Sequence, residues 1–262
     1  MLPKNDLRQM TWVEAEEALK LNPVVLLPIG TLEQNGPHCP LGTDTFIADY
    51  FTREVARQTD SLVLPVIPYG CSQAFKNFAG TVWLAAETLQ ALVRDVTRAL
   101  AHHGCRRFMV VNNHGPNQYP VEQAIREIME GAKIRAISVW PSQILHRLAV
   151  EIYRDEAGVL GHGGEPMTSV MMALRAEDVR RDLVPDALQK LSPVGNLQVQ
   201  NSSQSLFHGQ PLQFFLDVRE VSETGQTGDA RRASAEKGKV LLEKVIAWGV
   251  ELVNEFKRTE VK

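Results

Sequence analysis

The run Val24-Val25-Leu26-Leu27-Pro28-Ile29-Gly30-Thr31-Leu32-Glu33-Gln34-Asn35-Gly36-Pro37-His38-Cys39-Pro40-Leu41-Gly42-Thr43-Asp44 decides the fold. Its first six residues are apolar and stop at a glycine, the pattern of a buried strand. Directly behind them stand two carboxylates, a histidine, and Gly and Pro residues that shape the backbone. The same sequel recurs twice. Arg107 to Val111 reads as a strand and is followed by Asn112-Asn113-His114-Gly115-Pro116-Asn117. Lys133 to Val139 reads as another, and the connection after it reaches Gly161-His162-Gly163-Gly164-Glu165-Pro166. That last loop opens a helix, since proline is tolerated at a first helical position. Ligands of open parallel sheets bind beyond the carboxyl ends of the strands. Three polar, Gly-rich loops therefore fall at one edge.

Working outward, helical patterns separate these strands. Thr11-Trp12-Val13-Glu14 is a capping box opening a helix to about Leu21. Helical spacing runs from Thr45 to about Gln58, from Glu87 to His103 with Gly104 as a left-handed stop, over about Val121 to Glu130, and from Arg232 to Phe256. Leu62 to Ile67 reads as a further strand. Strands alternating with helices of ten or more residues argue for βαβ units, an α/β protein with a mostly parallel sheet and helices on both faces. Val184 to Gln213 stands apart, rich in Gln, Ser, Asn and Pro. It reads either as a mobile surface loop or as an excursion that packs on another subunit. With no repeat or linker, residues 1–262 read as one domain.

Of the 262 residues, 44% are hydrophobic and 23% charged, which suits a globular protein and excludes a disordered chain. The net charge of −3 and scattered Lys/Arg leave no basic footprint for nucleic acid. No apolar run has the roughly 20 residues of a membrane span, and Met1 to Trp12 lacks a signal-peptide core. The expectation is a cytoplasmic protein with three reduced cysteines, Cys39, Cys71 and Cys105, in no CxxC spacing.

Two carboxylates and an imidazole drawn from separate loops make a hard-to-borderline divalent metal site, suited to Zn, Mn or Fe(II). His102 and His103 sit at a helix C-terminus, where positive charge is favoured. His146 and His208 have no supporting context. Asn112 and Asn117 suit side-chain bonds that tie loop backbones.

The loops also resemble the creatininase family of metal-dependent amidohydrolases. The first is similar to its Glu-Gln-His-Gly-Pro-His-Leu-Pro-Leu-Gly-Thr-Asp pattern, the second to Asn-Gly-His-Gly-Gly-Asn, and the third to His-Ala-Gly-Glu-x-Glu-Thr-Ser. Pro68 to Ser72 with Phe78 to Thr81 resembles Tyr-Gly-x-Ser…Phe-Pro-Gly-Thr. Gly225-Gln226-Thr227-Gly228-Asp229 with Ala233 resembles Gly-x-x-Gly-Asp-Pro-x-x-Ala. The motifs keep the family's order over about residues 24 to 240. The resemblance implies a three-layer α/β/α fold, a centre of one or two divalent ions, hydrolysis of a C–N bond of a cyclic or formyl amide, and a homo-oligomer, a hexamer in many members. It assigns Glu33, Asp44 and His114 as metal ligands, with Asp44 at the position that bridges two ions. It places His162 near the substrate as a proton shuttle. Asn35, His38 and Trp140 are the expected substrate contacts, with rigidity of the first loop an equal reading of His38.

The chain also departs from the pattern. Asn35 replaces a ligand histidine, and an amide oxygen is a weak donor to Zn-like ions. Pro116 stands where some members carry a Glu, Phe75 where a His is usual, and Met167 where the third loop has its second acid. Glu165 then either completes a mononuclear site or binds a second ion weakly with Asn35, and Glu165 or Glu33 serves as the general base. These changes argue against action on creatinine itself. They favour hydrolysis of another small cyclic amide or related acyl compound, set against a lactone hydrolase or isomerase/lyase on the same scaffold, or a binder that has lost turnover.

Overall fold

The structure, a computed structural model, describes residues 2, 4–153, 158–187 and 191–261. In chain order its elements are α1 (Trp12–Lys20), β1 (Val24–Ile29), α2 (Thr43–Thr59), β2 (Leu62–Val63), α3 (Ala86–His102), β3 (Arg107–Asn112), α4 (Gln118–Gly131), β4 (Arg135–Val139), α5 (Pro141–Val150), α6 (Met167–Leu174), β5 (Gln198–Val199), β6 (Gln204–Phe207), β7 (Gln210–Gln213) and α7 (Ala235–Lys257). The central sheet is parallel in the order β2-β1-β3-β4. β1 and β3 form its middle, pairing from Val24 opposite Arg107 to Ile29 opposite Asn112.

Alternate strand residues serve opposite faces. Val24, Leu26, Met109 and Val111 pack with Phe51 and Val55 of α2, Leu145 of α5, Val170 of α6 and Leu241 of α7. Val25, Leu27, Ile29, Phe108 and Val110 pack with Ala18 of α1, Leu89 and Val93 of α3, and Val121 and Ile128 of α4. The result is three layers, α/β/α. Both sheet faces are covered, so β1 is a continuous apolar run without alternation. Each such aliphatic side chain contributes about 1.5–3 kcal/mol on burial.

The Thr11–Glu14 capping box forms as expected, and Gly104 follows α3 with φ +95°. Two expectations need correction. The strand expected over Leu62 to Ile67 is a ladder only at Leu62 and Val63, with Ile67 bridging Ile29 beyond it. Pro65 interrupts it, because proline has no N–H to give a ladder. The stretch 184–213 is not simply a loop. Outside residues 188–190, which lie beyond the described positions, it builds the antiparallel sheet β5-β6-β7. These strands of two to four residues, one carrying Pro211, are too short to show a period of two. Among the described residues, no helix is long and apolar enough to cross a membrane.

Candidate metal centre

The first loop leaves β1 at Gly30 and doubles back on itself. Glu33 N–H donates to the Leu41 carbonyl at 2.9 Å, and Asn35 bridges Cys39. The fold of the loop returns the chain to α2, whose first turn carries Asp44. A carboxylate there lies at the positive end of the helix dipole. His114 follows β3, held by Asn112, whose amide accepts from His114 N–H and donates to the His114 carbonyl. Asn117 spans two other loops, accepting from Cys71 N–H and donating to the Gly30 carbonyl. Asn112 and Asn117 thus tie backbones, as their residue type suggested.

These loops bring Glu33, Asp44 and His114 together. One donor atom from each lies within 4.8 Å of the other two, and all three residues are buried. His114 Nδ1 is 3.2 Å from Asp44 Oδ2, and its Nε2 is 3.4 Å from Glu33 Oε2 and donates to the Cys71 carbonyl. Burial alone disfavours an imidazolium at His114, but the Glu33 charge and the Asp44 hydrogen bond outweigh it and raise its pKa to about 9. Burial works against the charged form of Glu33 too, yet His114 and His162 hold its pKa below the usual value. Asp44 is pushed up by burial. Glu33 Oε2 is enclosed and accepts no hydrogen bond. A buried carboxylate oxygen facing a histidine and a second carboxylate is a strong acceptor without a donor, the condition a cation satisfies. Two oxygen donors and one nitrogen fit a Zn- or Mn-like ion.

His162 joins from the third loop. Its Nε2 lies 3.0 Å from Glu33 Oε1, and its Nδ1 donates to the Gly225 carbonyl at 3.1 Å. Phe75, at the position where the resemblance leads to a histidine, stacks on the ring at 4.7 Å between centroids. The carboxylate of Glu33 holds the His162 pKa above its ordinary value against the opposing effect of burial.

Other expected site residues are placed differently. Glu165 is not part of the Glu33–Asp44–His114 group. Its oxygens accept from Tyr153 Oη, Ser169 Oγ and Ser169 N–H, so its carboxylate braces the start of α6. Burial raises its pKa. His38 is 1% exposed and donates Nε2–H to Thr168 Oγ1 at 2.9 Å, pinning the first loop to α6. The Asn35 amide turns to the Glu33 carbonyl. Trp140 precedes α5 with its ring against Gly115, beside His114. A Cβ on that glycine would come within 2.8 Å of the indole. The indole N–H is enclosed and has no partner. Cys39 is buried beside Thr168, and burial pushes its thiol up to about 12, so it stays neutral.

Four residues hold places that the sequence did not assign them, His146 among them, which had no supporting context there. Asn113 donates to the Asp44 carbonyl and to Asp44 Oδ1, while its own oxygen accepts from both Ser142 N–H and Ser142 Oγ at 2.8 Å. Ser72 shares a 2.6 Å bond with Thr31 and lies 3.5 Å from His114 Nε2. His146, one turn beyond Ser142, donates Nδ1–H to the Ser142 carbonyl. Burial lowers its pKa, and it senses the charges of His162 and Asp44. Only its neighbours in space mark it, and no spacing in the sequence does.

The family model for creatininase, described as creatinine amidohydrolase, matches residues 8–253. The chain belongs to the creatininase family. It is 29% identical to a creatinine amidohydrolase of Pseudomonas putida, over 94% of this chain and 95% of that protein. It is 30% identical to a mycofactocin precursor peptide peptidase of Mycobacterium ulcerans, over 86% of this chain and 82% of that one. A Zn-Zn form of an E122Q mutant creatininase superposes with a TM-score of 0.82 at 27% identity, covering 98% of this chain and 99% of the other. Creatininase-family members are hydrolases of C–N bonds. The departures at Asn35, Phe75, Pro116 and Met167 therefore belong to a divergent creatininase-family chain.

Proposed function

We propose that this chain is a hydrolase of a small cyclic amide or related acyl C–N compound other than creatinine, working with one divalent ion held by Glu33, Asp44 and His114. The observation that carries the reading is the convergence of these three buried side chains on an enclosed Glu33 oxygen with no hydrogen-bond partner. A bound ion supplies Lewis acidity, polarising a carbonyl and acidifying a water. Zn and Mn both suit the donor set. A second ion finds little support, because the Asn35 amide is turned to a backbone carbonyl, Pro116 has no donor, and Glu33 Oε1 faces His162.

In this reading His162 carries the proton. With Nδ1–H given to Gly225, Nε2 takes a proton from the attacking water beside Glu33 and returns it to the departing nitrogen. The unpartnered Trp140 indole N–H is a donor suited to a substrate acceptor near His114. Glu165, saturated by Tyr153 and Ser169, keeps the third loop in place instead of serving as base or ligand. We also propose a homo-oligomer, hexameric as the sequence resemblance implies. Phe215 is 75% exposed in the single chain and Phe207 is 42% exposed, and such apolar groups find cover on a neighbour. Light scattering that returned a monomer mass would remove that proposal.

The test is elemental analysis of protein purified without chelator, then substrate profiling of cyclic amides, formamides and lactones in oxygen-labelled water. The expected outcome is about one ion per chain, near zero in His114→Ala, and label in the product carboxylate. Metal-free yet active protein would overturn the centre. Turnover without label would move the chain to an isomerase or lyase.

A further inference from the structure

Gln34 lies next to the candidate ligand Glu33 yet faces away from the metal centre. It is 5% exposed, and both ends of its amide are engaged. Its Oε1 accepts from Gly36 N–H at 2.8 Å, which fixes the orientation of the amide, and its Nε2 donates to the Gly225 carbonyl at 3.1 Å. That same carbonyl is the acceptor for His162 Nδ1. One backbone oxygen, 191 residues from Gln34 in the chain, thus receives two donors, one from the first loop and one from the third. Gly225 has φ +70°, a conformation L side chains rarely adopt, and a Cβ there would collide with the Gln34 amide. The glycine and the glutamine are therefore fitted to each other.

A carbonyl oxygen only accepts, so its bond to Nδ1 requires the proton to sit on that nitrogen. With Nδ1 so committed, Nε2 is the nitrogen left to exchange its proton, 3.0 Å from Glu33 Oε1, which accepts a hydrogen bond from it when that proton is present. Phe75 stacked at 19° fixes the ring plane, and Thr227 holds the backbone at both His162 N–H and C=O. These contacts set where the ring lies. The aim of the Gly225 carbonyl sets which nitrogen carries the proton. Ser222, Thr224 and Gln226 bond within their own turn, so among the described residues Gln34 is the side chain besides His162 itself that reaches this carbonyl from outside that turn.

We propose that Gln34 is a positioning residue that acts through the Gly225 carbonyl to keep His162 protonated at Nδ1 and its Nε2 turned to the reacting centre. This rests on the reading of His162 as proton carrier, but its test needs no substrate. In full-length protein labelled with 15N at histidine, the His162 Nδ1–H gives a hydrogen-bonded downfield proton resonance, assigned by its loss in His162→Asn. Metal content is measured on the same samples, so a failure of the metal reading shows separately. In Gln34→Leu, which keeps the volume and removes the donor, solvent exchange of that proton is expected to speed up at least about tenfold, with circular dichroism and metal content unchanged. Gly225→Ala, approaching the bond from the other side, is expected to do the same. An equally protected proton in Gln34→Leu overturns the proposal, as does the lack of a protected Nδ1–H in the unaltered protein. If Gln34→Leu does not fold, Gln34→Glu decides on the same resonance, with retention overturning the proposal and loss in a folded chain supporting it.

Discussion

His38 makes the stability of this protein depend on pH in a way that can be worked out from its surroundings. Thr168 Oγ1 donates to the Gly164 carbonyl and accepts from His38 Nε2–H, so the proton of the neutral imidazole is on Nε2. Nδ1 is enclosed without a partner. A second proton would bury a charge with nothing to bond it, and burial lowers the pKa from 6.5 to about 4. The unfolded chain takes up that proton first. The stability His38 contributes is thus complete above 6.5 and is lost as pH falls from 6.5 toward 4, after which the loss stops growing. The gap is worth about 3 kcal/mol in full, and about 2 kcal/mol of it is expressed between pH 7 and about pH 4.5. Glu165, raised by burial, works in the opposite sense. The comparison is therefore between the protein and its His38→Gln variant, which keeps a donor for Thr168 and does not titrate. Urea unfolding at both pH values is expected to show the unaltered protein losing about 2 kcal/mol more than the variant. A difference below about 0.5 kcal/mol would refute the argument that His38 is held neutral.

Asn113→Ala strands the buried Ser142 N–H while Ser142 Oγ keeps Met167 Sδ within 3.2 Å, so a loss of about 2–4 kcal/mol is expected in urea unfolding, together with weaker metal retention from the loosened Asp44. A loss under about 0.5 kcal/mol would show that the four bonds of Asn113 are idle. Asn35→His introduces the histidine that the sequence resemblance implies as a ligand, and elemental analysis is expected to show more bound metal per chain than in the unaltered protein. Unchanged content would place the obstacle at Pro116 or at the His162–Glu33 contact.

What was legible in the sequence and what was not divide along a physical line. β1 and β3 announced themselves as apolar runs and β4 as a weaker one broken by Arg135 and Ser138, and the sheet edge then collected the polar residues behind them. Glu33, Asp44 and His114 fall at that edge by strand order, and the family resemblance then singled them out from the other polar residues there. Glu165 looked like their companion for the same reason, a carboxylate in a Gly-rich loop at the same edge. Its actual partners, Tyr153 and Ser169, have ordinary side chains that no spacing rule ties to it. Asn113 is the converse case. It sits between Asn112 and His114 in a motif already singled out, but its work depends on Ser142, 29 residues on, and on Asp44, 69 residues back. Hydrophobic period fixes where backbone goes, and a hydrogen-bond partner is set only when distant segments meet. The same reasoning explains why the candidate metal ligands of this chain are easier to read than the network that supports them. Ligand chemistry admits few residue types, whereas a supporting bond can be made by almost any polar group the fold happens to deliver. Substitutions at Asn113, Ser142 and Gln34 are therefore where this divergent chain is expected to be most sensitive beyond its ligands, and where comparison by motif alone says least.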